Sequence, residues 1–334
     1  MDKIKVFLRR VASGSFKRFF RNLELVHKQT GKNRIWLFVD MVYSMFRYEV
    51  GYLDYMTFGF ANIKKDKRLT FMNMNDNIAM VRRLNQHDSY AVFDDKAVLY
   101  RRFSHLLNRD YVDLRDGFEG FAAFVEGKEN FFAKEPVSFG GLGVKKVTVN
   151  GRDAKEIYEE LMAEKLFLAE ETIIQHPEMN KLCASSVNTV RIVTVLSDHG
   201  NPNVVYSLVR IGSGDKEVDN ISSGGMYTLL SKDGRITHPT FCDKTVTYYT
   251  KHPATGFDMI GFQVPYFKEA IELVKKAALI EPTMRYIGWD IAITENGPVM
   301  VEGNNLPGYD MPQNYRFHDD GCGIKEAFEY AISH

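Results

Sequence analysis

The sequence predicts an α+β fold, and three observations lead there. Strand patterns come in groups instead of alternating one-for-one with helices. Helical patterns are segregated, most of them ahead of residue 130. The turns between strands carry hairpin signals such as Asn150-Gly151 and Glu295-Asn296-Gly297, which connect antiparallel neighbours. The 334 residues hold 43 Lys+Arg against 43 Asp+Glu, with 45% hydrophobic residues. That composition excludes disordered, collagen-like and coiled-coil chains. Charge balance argues against a nucleic-acid binder, which needs a basic excess. Cys183, Cys242 and Cys322 are widely spaced and odd in number. They fit neither a disulfide framework nor a zinc site and point to a reducing, cytoplasmic compartment.

Residues 1–90 read as a mostly helical N-terminal region. Phe16, Phe19, Phe20, Leu23 and Val26 recur at helical spacing, with Lys17, Arg18 and Arg21 between them. Residues 1–34 carry a net charge of +8, and the remaining 300 residues −8. Such a basic amphipathic helix can lie on an anionic membrane, but aromatic stripes are usually core, so packing on the body of the protein is expected. Arg9 and Arg10 interrupt any signal-peptide core. Ile35 to Phe46, the longest apolar stretch, is broken by Asp40 and falls short of a bilayer span. It predicts a buried helix, Ile35–Tyr48, and Asn75 is expected to cap another running toward Leu84.

From residue 91 to 170 a first α+β subdomain is expected. Helices over Lys96–Leu107 and Phe118–Glu126 lead into a strand, Asn130–Glu135. Gly140, Gly141 and Gly143 follow, then a second strand, Val144–Val149. A helix over Ala154–Lys165 precedes the strand Leu166–Glu170. Residues 171–334 form a second, strand-rich subdomain. Its strands are Thr189–Leu196, Val204–Ile211, Met226–Ser231, Gly288–Thr294 and Val299–Glu302. Helices over Pro265–Leu279 and Lys325–Ile332 complete it.

Four segments carry chemistry-bearing residues. In the first, Lys134 ends a strand and a turn with Ser138, Gly140, Gly141 and Gly143 follows. Glycines let backbone N–H groups approach phosphate oxygens, and lysine adds a point charge. The segment is not a Walker A loop, and by itself it reads as an ordinary hairpin. In the second, Asp290 sits in one strand of a hairpin, with Glu302 and Asn304 at the end of the other. Two carboxylates and an amide oxygen on one face suit Mg²⁺. Acids beside apolar runs such as Val299-Met300-Val301 are seldom buried without a partner or a metal. The third pairs Arg191 and Arg210 on adjacent strands, where they suit phosphate or carboxylate groups. In the last, the segment Leu166–Ile173, an apolar strand runs into Glu170-Glu171, and a strand edge offers backbone groups of the kind that read adenine.

Taken in chain order, these segments resemble the ATP-grasp superfamily. More narrowly, Gly51-Tyr52-Leu53-Asp54-Tyr55, Ser186-Val187-Asn188-Thr189-Val190-Arg191, Val218-Asp219-Asn220, His252-Pro253-Ala254-Thr255-Gly256 and Gly303-Asn304-Asn305-Leu306-Pro307-Gly308 resemble its sugar-transfer-associated branch. The resemblance implies two α+β subdomains clasping ATP. Lys96 and Lys134 would hold the phosphates under the 138–143 loop. Backbone near Glu170 and Glu171 would read adenine, Glu178 would take the ribose, and Asn220 would join the nucleotide contacts. Asp290, Glu302 and Asn304 would hold Mg²⁺.

In such enzymes a carboxylate attacks the γ-phosphate to give an acyl phosphate, which an amine then resolves. Some related ligases place an arginine two residues before the metal-binding Asp. Here that position is Gly288, so the role passes to Arg191 or Arg210, with Arg285 in reserve. The expected activity is ATP-dependent carboxylate–amine ligation, with a sugar acid or glycan precursor as one substrate. A sugar or polyol kinase and a non-catalytic nucleotide-binding component of a glycan-assembly complex are the alternatives. The basic N-terminal segment would suit peripheral contact at the inner membrane face.

Overall fold

The computed structural model describes residues 16–137, 143–214 and 224–334. The chain divides into two compact units, Met1–Met80 with Gly308–Tyr330 and Val81–Pro307 with Ala331–His334. The first unit is helical among its described residues. Helix α1 is Phe16–Thr30, α2 is Arg34–Arg47, α3 is Tyr52–Thr57 and α4 is Met74–Leu84. Asn33 caps α2 by accepting from the N–H groups of Ile35 and Trp36. The start of α4 is capped from Asn73, whose Oδ1 accepts from Asp76 N at 3.0 Å, and not from Asn75, which donates to Glu49.

Two further expectations fail in this unit. The helix expected over Ile35–Tyr48 forms, but it is not buried. Leu37, Asp40, Met41 and Ser44 face inward, while Ile35, Phe38, Val39 and Phe46 stay exposed. The inward face is set by Asp40, which accepts from Arg68 at 2.8 and 2.9 Å and from the Tyr55 hydroxyl at 2.6 Å. The stripe on α1 splits in the same way, with Leu23 and Val26 buried and Phe16 and Phe20 outward.

In the second unit α5 is Ala91–Asp94, α6 Lys96–Arg102 and α7 Ser104–Leu107, so the single helix expected over Lys96–Leu107 breaks at Phe103. Then come β1 (Tyr111–Asp113), α8 (Phe118–Val125), β2 (Asn130–Lys134), β3 (Val144–Thr148), α9 (Ala154–Ala163), β4 (Leu168–Glu171) and α10 (Pro177–Asn180). Strands β5 (Thr189–Leu196), β6 (Pro202–Ile211), β7 (Met226–Leu229), β8 (Thr240–Cys242) and β9 (Thr247–Tyr249) follow. Helix α11 (Phe267–Ile280), β10 (Tyr286–Thr294) and β11 (Gly297–Asn304) complete this unit, and α12 (Lys325–Ser333), most of which belongs to the first unit, ends the chain.

The strands form two antiparallel sheets, one ordered β1-β4-β2-β3 and the other β11-β10-β5-β6-β7-β8-β9. The small sheet buries Phe131, Ala133, Val147 and Ala169 against Phe121 of α8 and Ile157 and Leu161 of α9. The large sheet buries Val190, Ile192, Ile287 and Ile291 in a core with Ala270, Val274 and Ala277 of α11. Strands β5 and β10 are buried along nearly their whole length, which is why they read as continuous apolar runs.

Candidate active site

Register on the large sheet builds the centre of the site. Asp290 lies directly opposite Arg191 on β5 and directly opposite Glu302 on β11. Opposed residues share a face, so three charged side chains line up across three strands. Arg191 grips Asp290 in a fork, Nε to one carboxylate oxygen and Nη2 to the other at 2.7 Å. Arg210 Nη1 adds a third bond from β6 at 3.0 Å. Gly288 leaves room beside this fork: a Cβ there would lie a tight 3.3 Å from Arg191 Cδ and from Pro307 Cβ. Arg285 stays away, bonded to Leu196 O and Asp198.

The two carboxylates differ in protonation behaviour. Burial by itself would raise the Asp290 carboxyl, but the arginine pair outweighs it and holds the group down at about 2. The Glu302 carboxyl is raised, first by burial and then by the like charge and hydrogen bond of Asp290. Asn304 Nδ2 donates to Glu302 Oε1 at 3.2 Å and to Gly288 O at 3.3 Å. The three residues expected to hold a metal therefore stand together. No group of three His, Cys, Asp or Glu among the described residues is placed to hold one, so the third donor would have to be the Asn304 amide oxygen. The set fits Mg²⁺: two hard carboxylates face each other, and the like charge that helps raise Glu302 is one a divalent cation would offset.

A second charged cluster sits on the small sheet. Lys134 at the end of β2 pairs with Glu170 on β4. The other oxygen of Glu170 accepts from Arg109 Nη2 and the Tyr100 hydroxyl, at 2.8 and 2.7 Å. Burial opposes ionisation of Glu170, yet Arg109 and Lys134 hold its carboxyl at about 2. The Tyr100 hydroxyl also lies 3.0 Å from Val301 O, and Arg109 Nη2 lies 3.3 Å from the same carbonyl. This cluster is thus tied to β11 one residue before Glu302. Nε and Nη1 of Arg109 are buried with no partner among the described residues.

Lys96 joins the two clusters. Asp95 caps α6, accepting from Ala97 and Val98 N–H groups, and Lys96 N donates to Pro136 O at 2.9 Å. Burial pulls the Lys96 ammonium downward; Glu302 opposes this and Lys134 adds to it. The side chain lines a cavity of about 50 Å³ with Phe93, Leu99, Glu302, Asn304 and Asn305. Gly303 keeps the wall close, since a Cβ there would stand 2.9 Å from the Phe93 ring. Lys96 thus feels both Glu302, which faces Asp290, and Lys134, which pairs with Glu170.

Other expected site residues are placed differently. Strand β4 is an inner strand between β1 and β2, not an edge, and Glu171 N already donates to Asp110 O at 2.9 Å. The Glu171 backbone N–H is thus taken within the fold, and Glu170 is engaged through its side chain. Glu178 pairs with Lys181 at 2.7 Å on the surface, and the preceding His176 bonds Ile293 O. It does not join the cluster. Gly143 forms the foot of the β2–β3 hairpin at φ 67°, its carbonyl accepting from Glu135 N at 3.0 Å. Ser138, Gly140, Gly141 and Asn220 lie outside the described residues. Tyr100 and Arg109 escaped the sequence reading. Tyr100 sits four residues after Lys96 on one helical face, a signal that was available; Arg109 follows Asn108, a left-handed residue at φ 56°, and no local pattern marks it.

The profile of the family described as sugar-transfer associated ATP-grasp matches residues 75–315. Among curated proteins none matches the chain. Similar solved structures include an ATP-grasp ligase, PsnB, complexed with precursor peptide PsnA2 and AMPPNP, at 13% identity over 74% of this chain and 62% of that one, TM-score 0.43. The D-alanine–D-alanine ligase of Coxiella burnetii is 12% identical over 73% and 54%, TM-score 0.37. D-alanyl-alanine synthetase A of Vibrio cholerae is 12% identical over 73% and 65%, TM-score 0.41. The chain thus spans less than two-thirds of the length of these proteins, and likeness at this level carries no argument about activity. The family profile covers well over half of the sequence, and this chain belongs to the sugar-transfer associated ATP-grasp family.

Proposed function

We propose that this protein is an ATP-dependent carboxylate–amine ligase that acts on a sugar acid or a glycan precursor. The observation that carries the reading is the convergence of Lys96 and Lys134 on the Asp290–Glu302 carboxylate pair. Two ammonium groups opposite two carboxylates suit a triphosphate with its metal, since each charge on the nucleotide then meets its opposite. Bound there, Mg²⁺ would be held by Asp290, Glu302 and Asn304 and would supply charge neutralisation at the phosphates.

The chain's own residues do the rest. Lys96 and Lys134 bind and orient the phosphates, and Glu170, Arg109 and Tyr100 fix the Lys134 ammonium. Arg191 and Arg210 keep Asp290 ionised and place positive charge beside the reacting carbonyl, where an oxyanion develops. The acid substrate's carboxylate attacks the γ-phosphorus, the bond to the β-phosphate oxygen breaks, and ADP leaves with an acyl phosphate remaining. The amine then attacks the carbonyl carbon, inorganic phosphate departs, and the amine's proton passes to solvent. The family's association with sugar transfer supports a sugar acid as the acid partner.

ADP release across a panel of sugar acids and amines, with hydroxylamine present, tests this. Hydroxamate formation that depends on one acid supports the ligase. ADP release with a phosphorylated sugar and no hydroxamate would make the protein a kinase; no turnover with any substrate would leave a binding component.

A further inference from the structure

We propose that the outward face of α1 and α2 docks on an anionic lipid bilayer. Helix α2 is turned the wrong way round for a helix that ends at water. Between Ile35 and Phe46 its one charged residue is Asp40, and that residue faces inward onto Arg68. Leu37 and Met41 turn inward with it, but most of the large apolar side chains face outward: Ile35 is 75% exposed, Val39 59% and Trp36 44%, with Phe38, Tyr43 and Phe46 also exposed. Ile35, Val39, Val42 and Phe46 follow one helical stripe. Phe20 of α1 stacks on Phe38 with ring centres 6.4 Å apart, and Phe19 meets it edge-on at 5.8 Å. The two helices thus present one continuous patch, with Phe16 at its end, and scattered surface hydrophobics do not produce such a patch.

Charge selects the occupant. Lys17, Arg18, Arg21, Lys28, Lys32, Arg34 and Arg47 stand on these helices or on the turn between them. The acids there are Glu24 and Asp40. Glu24 is taken by Arg34 at 2.8 Å, and Asp40 is buried. An apolar face rimmed by cations, with no acid left unpaired, complements negatively charged headgroups over acyl chains. Aromatics stand at the rim as they do at membrane interfaces: Lys32 Nζ lies 4.8 Å over the Trp36 ring, and Lys65 Nζ lies 4.9 Å over Tyr43. No described helix is long and apolar enough to cross a membrane, so the contact lies in the plane of the interface. The α2 face, more than the basic segment before it, supplies the apolar grip.

The chain carries its own reporter. It has two tryptophans; Trp289 is 1% exposed, so a lipid-induced change in emission comes from Trp36. The full-length protein is floated with vesicles of phosphatidylcholine alone or of equal parts phosphatidylcholine and phosphatidylglycerol. The expected result is flotation with the anionic vesicles only, with Trp36 emission moving to shorter wavelength. Ile35→Glu with Val39→Glu should lower partitioning by about tenfold or more, with unchanged circular dichroism and nucleotide binding. Ile35→Ser with Val39→Ser should weaken it as well, through lost apolar contact alone. The proposal is overturned by a wild type that stays unbound to both vesicles, or by a Glu variant that floats as well as wild type. A dimer seen by light scattering that the Glu variant dissolves, with no vesicle binding, would assign the face to a second copy of the chain and overturn it equally.

Discussion

Glu302 carries a carboxyl raised first by burial and then by the like charge of Asp290 across the hairpin, and the substitution Glu302→Gln isolates what that carboxylate does. It keeps the shape and the bond from Asn304 while deleting one charge. Turnover with Mg²⁺ should fall about 10²–10³-fold, with the far-ultraviolet spectrum unchanged; near-normal turnover would displace the metal site. Glu170 and Asp290 shift the other way. Both carboxyls stand at about 2 in the folded chain, against about 4 in an unfolded one. Because the folded value is the lower, the unfolded chain takes up protons first as pH falls. Their stabilisation is full above about pH 4.5 and is lost on the way down to about pH 2. Acid unfolding followed by circular dichroism should steepen in that window, and Glu170→Gln should flatten it. Arg109→Ala removes one of the cations holding Glu170 and should cost about 3–5 kcal/mol in urea unfolding, the range for breaking a buried pair.

Among the elements, β10 organises the site. It pairs β5 on one side and β11 on the other, so Asp290 meets an arginine and a glutamate by register alone. Strands β5, β10 and β11 were readable from their apolar runs and from the Glu295–Gly297 turn, and that reading put Asp290 and Glu302 on one face. Strands β1, β8 and β9 were not readable. Each is three residues long, too short for a period to show. The inner position of β4 was hidden for the same reason, since it depends on β1. The outward turn of α2 was also hidden, because a lone Asp in an apolar run reads as a flaw in a buried helix; Arg68, its partner, lies 28 residues away. Close approach of β11 to α5 gives a test at this scale. Gly303→Ala would press a methyl on the Phe93 ring and should destabilise by about 1–3 kcal/mol. A melting temperature equal to wild type would contradict the packing described.

Across the whole molecule, the ATP-grasp family was legible from the order of its segments, though no single segment was specific. Lysine, glycine turn, paired arginines and the Asp…Glu-x-Asn ending each have ordinary readings, and only their succession narrows the choice. What the order could not show is which residues brace Glu170, the partner of Lys134. That work falls to Tyr100 and Arg109, joined to Glu170 across 70 and 61 positions of sequence, a separation at which periodicity carries no information. Lys134→Ala should chiefly weaken nucleotide affinity while Mg²⁺ dependence remains, because the carboxylate pair is untouched; unchanged affinity would remove Lys134 from the phosphate site.

Calorimetric titration of wild type and Glu302→Gln with AMPPNP, each with and without Mg²⁺, bears most directly on whether the two ammonium groups and the two acids form one nucleotide site. Tighter binding with Mg²⁺ for wild type, lost in Glu302→Gln while metal-free binding persists, is the predicted result. Equal affinity with and without Mg²⁺ in wild type, or an undiminished Mg²⁺ effect in the variant, would contradict it.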